Sequence, residues 1–219
     1  VDQHQHLINK ATTLLLMKQN IIIVDNFYEN PYEVRQYALN LEYPQPQDGY
    51  TYPGRNSKGT FYNQEIHDKF ENLIGRHLVP ADCGNHGDFR LSLEVDTFQQ
   101  DIHIDPIWEW GCVLYMNLPH QCIDEAGTSF WKHKKLGWEK CPEREEASWF
   151  GYTSYDEIRD SIIYGDGLDR SKWERYCLAN MRYNRAVIFD PKLWHSHGAN
   201  FGDSLENGRL VQLFFFNNA

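Results

Sequence analysis

Apolar positions along the chain fall into two regimes. In the first third, short apolar runs alternate with stretches of helical period. Residues 21–24 (Ile-Ile-Ile-Val) are β-branched throughout, which predicts a strand. Asn30-Pro31-Tyr32-Glu33 then supplies a capping residue, a proline at the first helical position and an acid at the third, predicting a helix to about residue 40. A second helix is predicted from Asn63, with Ile66, Phe70, Leu73 and Ile74 on one face. Between the two, residues 44–62 are rich in Pro, Gly and Tyr and predict a long loop. From residue 89 the pattern becomes strand-like. Residues 89–95, 97–103, 111–117 and 128–131 are short runs of β-formers separated by turn residues. Residues 132–180 predict a helical insertion, with Ser154-x-x-Glu157 and Ser171-x-x-Glu174 as capping boxes. Strands resume at 186–189 and 209–216. Helices first, then many strands with one helical insertion, predict a single α+β domain over residues 1–219 with a mainly β core, a sandwich or a barrel.

Composition narrows the partners. The 219 residues carry 31 acidic and 21 basic side chains, a formal charge of −10, which repels phosphate backbones and anionic lipid and argues against nucleic acid and membrane surfaces as partners. The apolar runs at 14–17, 21–24 and 213–216 are far shorter than the ~20 residues of a membrane span. No basic stretch followed by an apolar one opens the chain, so no signal peptide is expected. Cys83, Cys112, Cys122, Cys141 and Cys177 are odd in number and lack C-x-x-C spacing; a disulfide framework is not expected, and a reducing, cytoplasmic setting is.

His103-Ile104-Asp105 closes a strand-like run stopped by Pro106. Residues two apart on a strand point the same way, so an imidazole and a carboxylate face one point. By itself such a pair is common. A second histidine, His195, follows the apolar strand 186–189, and Arg209 opens the next strand. That order puts a cation near a metal inside a sandwich, and a buried arginine needs an anionic partner, which a bound dicarboxylate supplies in bidentate geometry. Two histidines and a carboxylate on one face of a metal leave positions open, the arrangement of non-haem Fe(II) oxygenases. His197, two residues beyond His195, faces the same side of a strand and is the rival ligand. Trp108 and Trp110 follow the His-x-Asp pair closely and are candidates for lining a substrate mouth or for plain packing. Arg55 is a candidate for a substrate carboxylate or for plain exposure. The same three ligands would serve a zinc-dependent hydrolase, or stand in a non-catalytic β-sandwich binding module.

Several motifs in order resemble the 2-oxoglutarate/Fe(II) dioxygenase superfamily, in its prolyl-hydroxylase-like branch. His103-x-Asp105 resembles the proximal iron pair, and Tyr115-Met116-Asn117 the Tyr-Leu-Asn of a core strand. Gly127-Thr128-Ser129-Phe130 is similar to a Gly-Gly-Thr-x-Phe turn, with Ala126 in place of one glycine. Residues 189–195 resemble the distal strand and histidine, and Leu-Trp-His at 193–195 favours His195 over His197. Arg209 resembles the arginine that pairs with the far carboxylate of 2-oxoglutarate. Tyr52-Pro53-Gly54-Arg55 and the run 118–122 resemble an uncharacterised bacterial subgroup. The likeness covers about residues 89–131 and 183–217. It implies a double-stranded β-helix (a distorted, cupin-like jelly roll) with flanking helices. It also implies Fe(II), 2-oxoglutarate and O2 as cofactor and cosubstrates, a cosubstrate contact from Tyr115, and a small-molecule, amino-acid or peptide substrate. Halogenating members replace the carboxylate of the iron pair by a small residue; with Asp105 present, hydroxylation or a related oxidation is implied, with release of succinate and CO2.

Overall fold

In the computed structural model, which describes residues 20–45, 52–97 and 100–219, the apolar runs pair into two antiparallel sheets. The larger has seven strands: β1 (Ile21–Val24), β2 (Arg55–Thr60), β3 (Leu78–Pro80), β4 (Asp88–Ser92), β5 (Trp110–Tyr115), β8 (Ala186–Phe189) and β10 (Arg209–Asn218). Their spatial order is β1-β8-β5-β10-β4-β2, with β3 also on β10. The smaller sheet is ordered β7-β6-β9, from β6 (Thr128–His133), β7 (Trp173–Ala179) and β9 (His195–Ser196).

The two-residue period of the strands divides the core. Cys112, Leu114, Ile188, Leu210, Phe214 and Phe216 form one face of the large sheet. They pack on Val34 and Ala38 of helix α1 (Pro31–Leu39) and on Ile66 and Phe70 of α2 (Gln64–Ile74). Each buried ring here is worth roughly 1.5–3 kcal/mol in transfer free energy. Tyr115, Val187, Phe189, Val211 and Leu213 point the other way and meet Phe130 and Ala179 of the small sheet. Central strands such as β8 are buried on both faces, which explains their unbroken apolar sequence.

The helix starts follow the local code. Asn63 accepts the Ile66 amide at 2.9 Å, and Gly75, left-handed at φ +72°, closes α2. Asn30 makes no side-chain cap on α1, where Pro31 sets the first turn instead.

Three expectations are corrected. The loop predicted at 44–62 contains β2, whose Arg-Asn-Ser-Lys-Gly-Thr sequence lacks apolar alternation because it forms a sheet edge and its register on β4 shifts between Asn56 and Thr60. No strand spans described residues 100–103; His103 makes an isolated bridge to His195. The helical insertion ends early: α3 (Arg144–Trp149), α4 (Tyr155–Ile158), a π turn (Arg159–Ile163) and two 3₁₀ turns give way to β7 at Trp173. Ser154 does cap α4 by accepting the Glu157 amide, whereas at 171–174 it is Asp169 that caps a 3₁₀ turn and Glu174 already lies in β7. The apolar run at 14–17, loop residues 46–51 and residues 98–99 of the predicted 97–103 strand lie outside the described residues. No helix among the described residues is long and apolar enough to cross a membrane.

A third apolar cluster joins Ile158, Ile162 and Ile163 of the insertion to Ile102, Ile104 and Trp194. The insertion is thus packed against the immediate neighbours of His103, Asp105 and His195.

Candidate metal centre

The two segments carrying these residues form one rung. The amide of His103 donates to the carbonyl of His195, and the amide of His195 donates back to that of His103, both at 2.9 Å. Asp105 is tied by its own amide to the Pro191 carbonyl at 2.8 Å. The ligand atoms of His103, Asp105 and His195 all lie within 4.8 Å of one another. His195 Nε2 stands 3.6 Å and His103 Nε2 3.9 Å from Asp105 Oδ2.

Both imidazoles are oriented alike. Nδ1 of His103 bonds the Asp101 carbonyl and Nδ1 of His195 the Leu193 carbonyl, each at 2.8 Å. A carbonyl only accepts, so Nδ1 carries the proton and the Nε2 lone pair faces the centre. Burial, reinforced by the neighbouring His195 ring, pushes His103 down to about 4, so that it is neutral near pH 7. Burial raises the Asp105 carboxyl, but the adjacent His195 and His103 side chains and the Tyr52 hydroxyl outweigh it and hold it down to about 2. Two imidazoles that present Nε2 and an ionised carboxylate suit a divalent first-row metal.

The centre opens into a cavity of about 180 Å³ between the sheets, well beyond the ~10–15 Å³ that one water needs. Arg209 lines it. Only 4% exposed, its guanidinium uses Nε on the Ala126 carbonyl at 3.0 Å and lies 5.8 Å from the Tyr115 ring. Among the described residues no carboxylate pairs with it. Burial lowers its pKa, as expected of a cation held away from water.

The other sequence candidates separate. Trp108 and His197 line the cavity. Burial and the charge of Arg209 push His197 down to about 4, and it stands outside the converging trio. Tyr115 does not line the cavity: its hydroxyl bonds Thr128 Oγ1 at 2.7 Å, so it supports the Arg209 guanidinium from behind. Trp110 lies at a different small cavity and donates to Asn218, because its β5 neighbour Gly111 takes the inward position. Arg55 sits on β2 opposite Leu91, away from the cavity lining.

Further residues at the centre were given no role by the sequence reading. Tyr52 donates to Asp105 Oδ1 at 3.3 Å and stacks edge-on against His103. The turn after it requires Gly54, at φ +85°, where a Cβ would sit 2.2 Å from the Leu91 carbonyl. Arg90 lines the cavity from β4; a charged residue inside Phe-Arg-Leu-Ser was its signal. Asp101, 3% exposed, is clamped by Arg170 through two bonds of 2.6 and 3.0 Å, which fixes the carbonyl that orients His103. No sequence pattern links 101 to 170.

Residues 8–216 match a family of unknown function, DUF6445. The chain belongs to this family. Comparison with curated proteins finds no match. Solved structures similar to this DUF6445 chain include three described with 2-oxoglutarate. The non-haem α-ketoglutarate-dependent carbocyclase SnoK of nogalamycin biosynthesis superposes with a TM-score of 0.56 at 11% identity, over 96% of this chain and 84% of that one. The epimerase SnoN of the same biosynthesis gives 0.53 at 14% identity, over 97% and 84%. HygX from Streptomyces hygroscopicus, crystallised with nickel, 2-oxoglutarate and hygromycin B, gives 0.53 at 9% identity, over 96% and 87%. The DUF6445 chain therefore shares the mainly β fold of the 2-oxoglutarate/Fe(II) oxygenases.

Proposed function

We propose that this protein is an Fe(II)- and 2-oxoglutarate-dependent oxygenase. It hydroxylates a C–H bond of a small molecule, an amino acid or a peptide side chain, with release of succinate and CO2. In this reading one domain forms a double-stranded β-helix of the prolyl-hydroxylase-like branch. His103, Asp105 and His195 hold the metal. Arg209 takes the far carboxylate of 2-oxoglutarate, Tyr115 steers that guanidinium, and Trp108 faces the substrate. Bound iron with 2-oxoglutarate and O2 supplies the oxidising chemistry.

The observation that carries the reading is the buried Arg209 guanidinium in the same cavity as the three converging ligands, without a carboxylate partner among the described residues. A buried cation left so is costly, and a dicarboxylate reaching from the metal to Arg209 offsets that cost. A dicarboxylate cosubstrate requires such a cation whereas zinc activation of water does not, so Arg209 favours the oxygenase. The remaining roles belong to the chain itself. Asp105 stays ionised, both imidazoles present Nε2, and Tyr52 orients one carboxylate oxygen of Asp105 while keeping its own proton, since burial raises its pKa.

The test is anaerobic addition of Fe(II) and 2-oxoglutarate, which produces the visible charge-transfer band of a chelated 2-oxo acid, followed by succinate formation once air is admitted. Absence of the band together with tight zinc binding would overturn the reading in favour of a hydrolase.

A further inference from the structure

A groove of about 200 Å³ adjoins the cavity and shares Tyr52, Asp105 and Trp108 with it. Its far wall is built by the insertion. Tyr155, Arg159 and Ile163, spaced four apart, all line it, so a single stripe of this helical segment faces the metal centre. The stripe passes from α4 into the π turn at Arg159–Ile163, an irregularity that is rare and concentrates at functional sites. Ile163 anchors the stripe in the apolar cluster with Ile104. Trp108 and Pro106 form the near wall. Aromatic and apolar side chains make up most of the lining, which also holds Gln100, the Asp105 carboxylate and one cation, Arg159.

Arg159 is bonded to Asp156 at 2.7 Å and to Asp160 at 3.0 Å. Both aspartates are on its own segment and mostly exposed, at 72% and 65%. Exposed pairs of this kind hold weakly, so the guanidinium is available to a carboxylate seated beside it in the groove.

Resting on the oxygenase reading, we infer that the groove between Trp108 and the Tyr155–Arg159–Ile163 stripe is the substrate subsite, and that it takes a small aryl-bearing carboxylic acid. The flat apolar body lies among Tyr52, Trp108 and Tyr155. The carboxylate sits on Arg159, away from the metal, leaving the connecting carbons closest to Asp105.

The experiment titrates protein loaded with Mn(II) and saturating 2-oxoglutarate with 3-phenylpropionate, its uncharged amide and ring-free propionate, by calorimetry. The aryl acid binds, and both the amide and propionate bind about tenfold more weakly, the usual scale for losing a charge-assisted contact or a buried ring. Arg159→Ala brings the acid-to-amide ratio to about one, Arg159→Lys keeps most of it, and Tyr155→Ala weakens acid and amide alike. These side chains lie on a partly exposed segment, and melting curves verify that each variant is folded. The inference is overturned if the wild-type protein does not bind the acid, if Arg159→Ala leaves the ratio unchanged, or if the acid displaces 2-oxoglutarate. Failure of 2-oxoglutarate itself to bind sinks the oxygenase reading instead. The aryl-acid titration is then read on the Mn(II) protein alone, where dependence on Arg159 still decides the groove.

Discussion

The two sides of the metal centre are built differently. On the Arg209 side the walls are mainly strands in registered ladders: Arg209 opposes Ser92, Val211 opposes Tyr115, and Phe130 opposes His195. Side chains there are held by neighbours on both sheets. On the Trp108 side the wall is a succession of short helical turns, and large rings remain exposed, Trp149 at 73% and Phe150 at 44%. Strands fix a position within tight limits, whereas turns change sequence and shape with little consequence for the core. The ladder side suits a ligand that never varies, as the proposed cosubstrate does not; the turn side suits the ligand that distinguishes one family member from another.

The sharpest way to break this contrast is at the rung itself. His103→Ala or Asp105→Ala abolishes succinate formation while circular dichroism shows the fold retained. Full activity in both would place the chemistry elsewhere. Next in size, Arg209→Met raises the 2-oxoglutarate concentration needed for half-saturation by roughly 10–100-fold, the scale of a bidentate charge-assisted contact. The ligand-free variant melts no lower than wild type, because an uncompensated buried cation is removed. A smaller effect is expected at the joint between the two sides. Arg170→Ala frees the Asp101 carboxylate and loosens the carbonyl that orients His103, lowering metal affinity about tenfold, the range found when the partner of a metal-bound histidine is lost. Equilibrium dialysis against Mn(II) measures it.

The smallest test concerns the ladder side alone. Burial pushes the Asp88 carboxyl on β4 up to about 6, opposed by Arg90. The folded value exceeds the unfolded one of ~3.9. Stability is therefore full below about pH 4 and declines as pH rises through about 6. Asp88→Asn removes the decline, so the variant gains on the order of 1 kcal/mol over wild type at pH 7.5 and gains nothing at pH 4. Denaturant melts at the two pH values decide.

The same contrast governs what the sequence discloses. The central strands and both long helices are legible because apolar period and capping chemistry are local signals, and residues 103, 105, 195 and 209 stand out because reactive side chains interrupt or bound those runs. Edge strand β2 is not legible, since an edge exposed to water needs no apolar face. Strand β7 hides behind Ser171-x-x-Glu174, a local helix signal overridden by pairing with β6. The Tyr52–Asp105 bond and the Arg170–Asp101 clamp join residues far apart in sequence, which no spacing rule can register. Trp108 and Trp110 show the limit of spacing: the sequence leaves each open to mouth lining or plain packing, and the fold places Trp108 at the cavity and Trp110 against the helix-side core.

The double backbone bond between His103 and His195 reaches beyond ligand geometry. Folding itself, and not the ion, meets the entropy of bringing two remote stretches together. Such a centre is expected to survive chelation as an organised, empty cradle, unlike small zinc domains whose chain collapses when the ion is withdrawn. The protein can then be stripped and reloaded with different metals in the same scaffold, and its melting temperature should track metal concentration only by simple mass action.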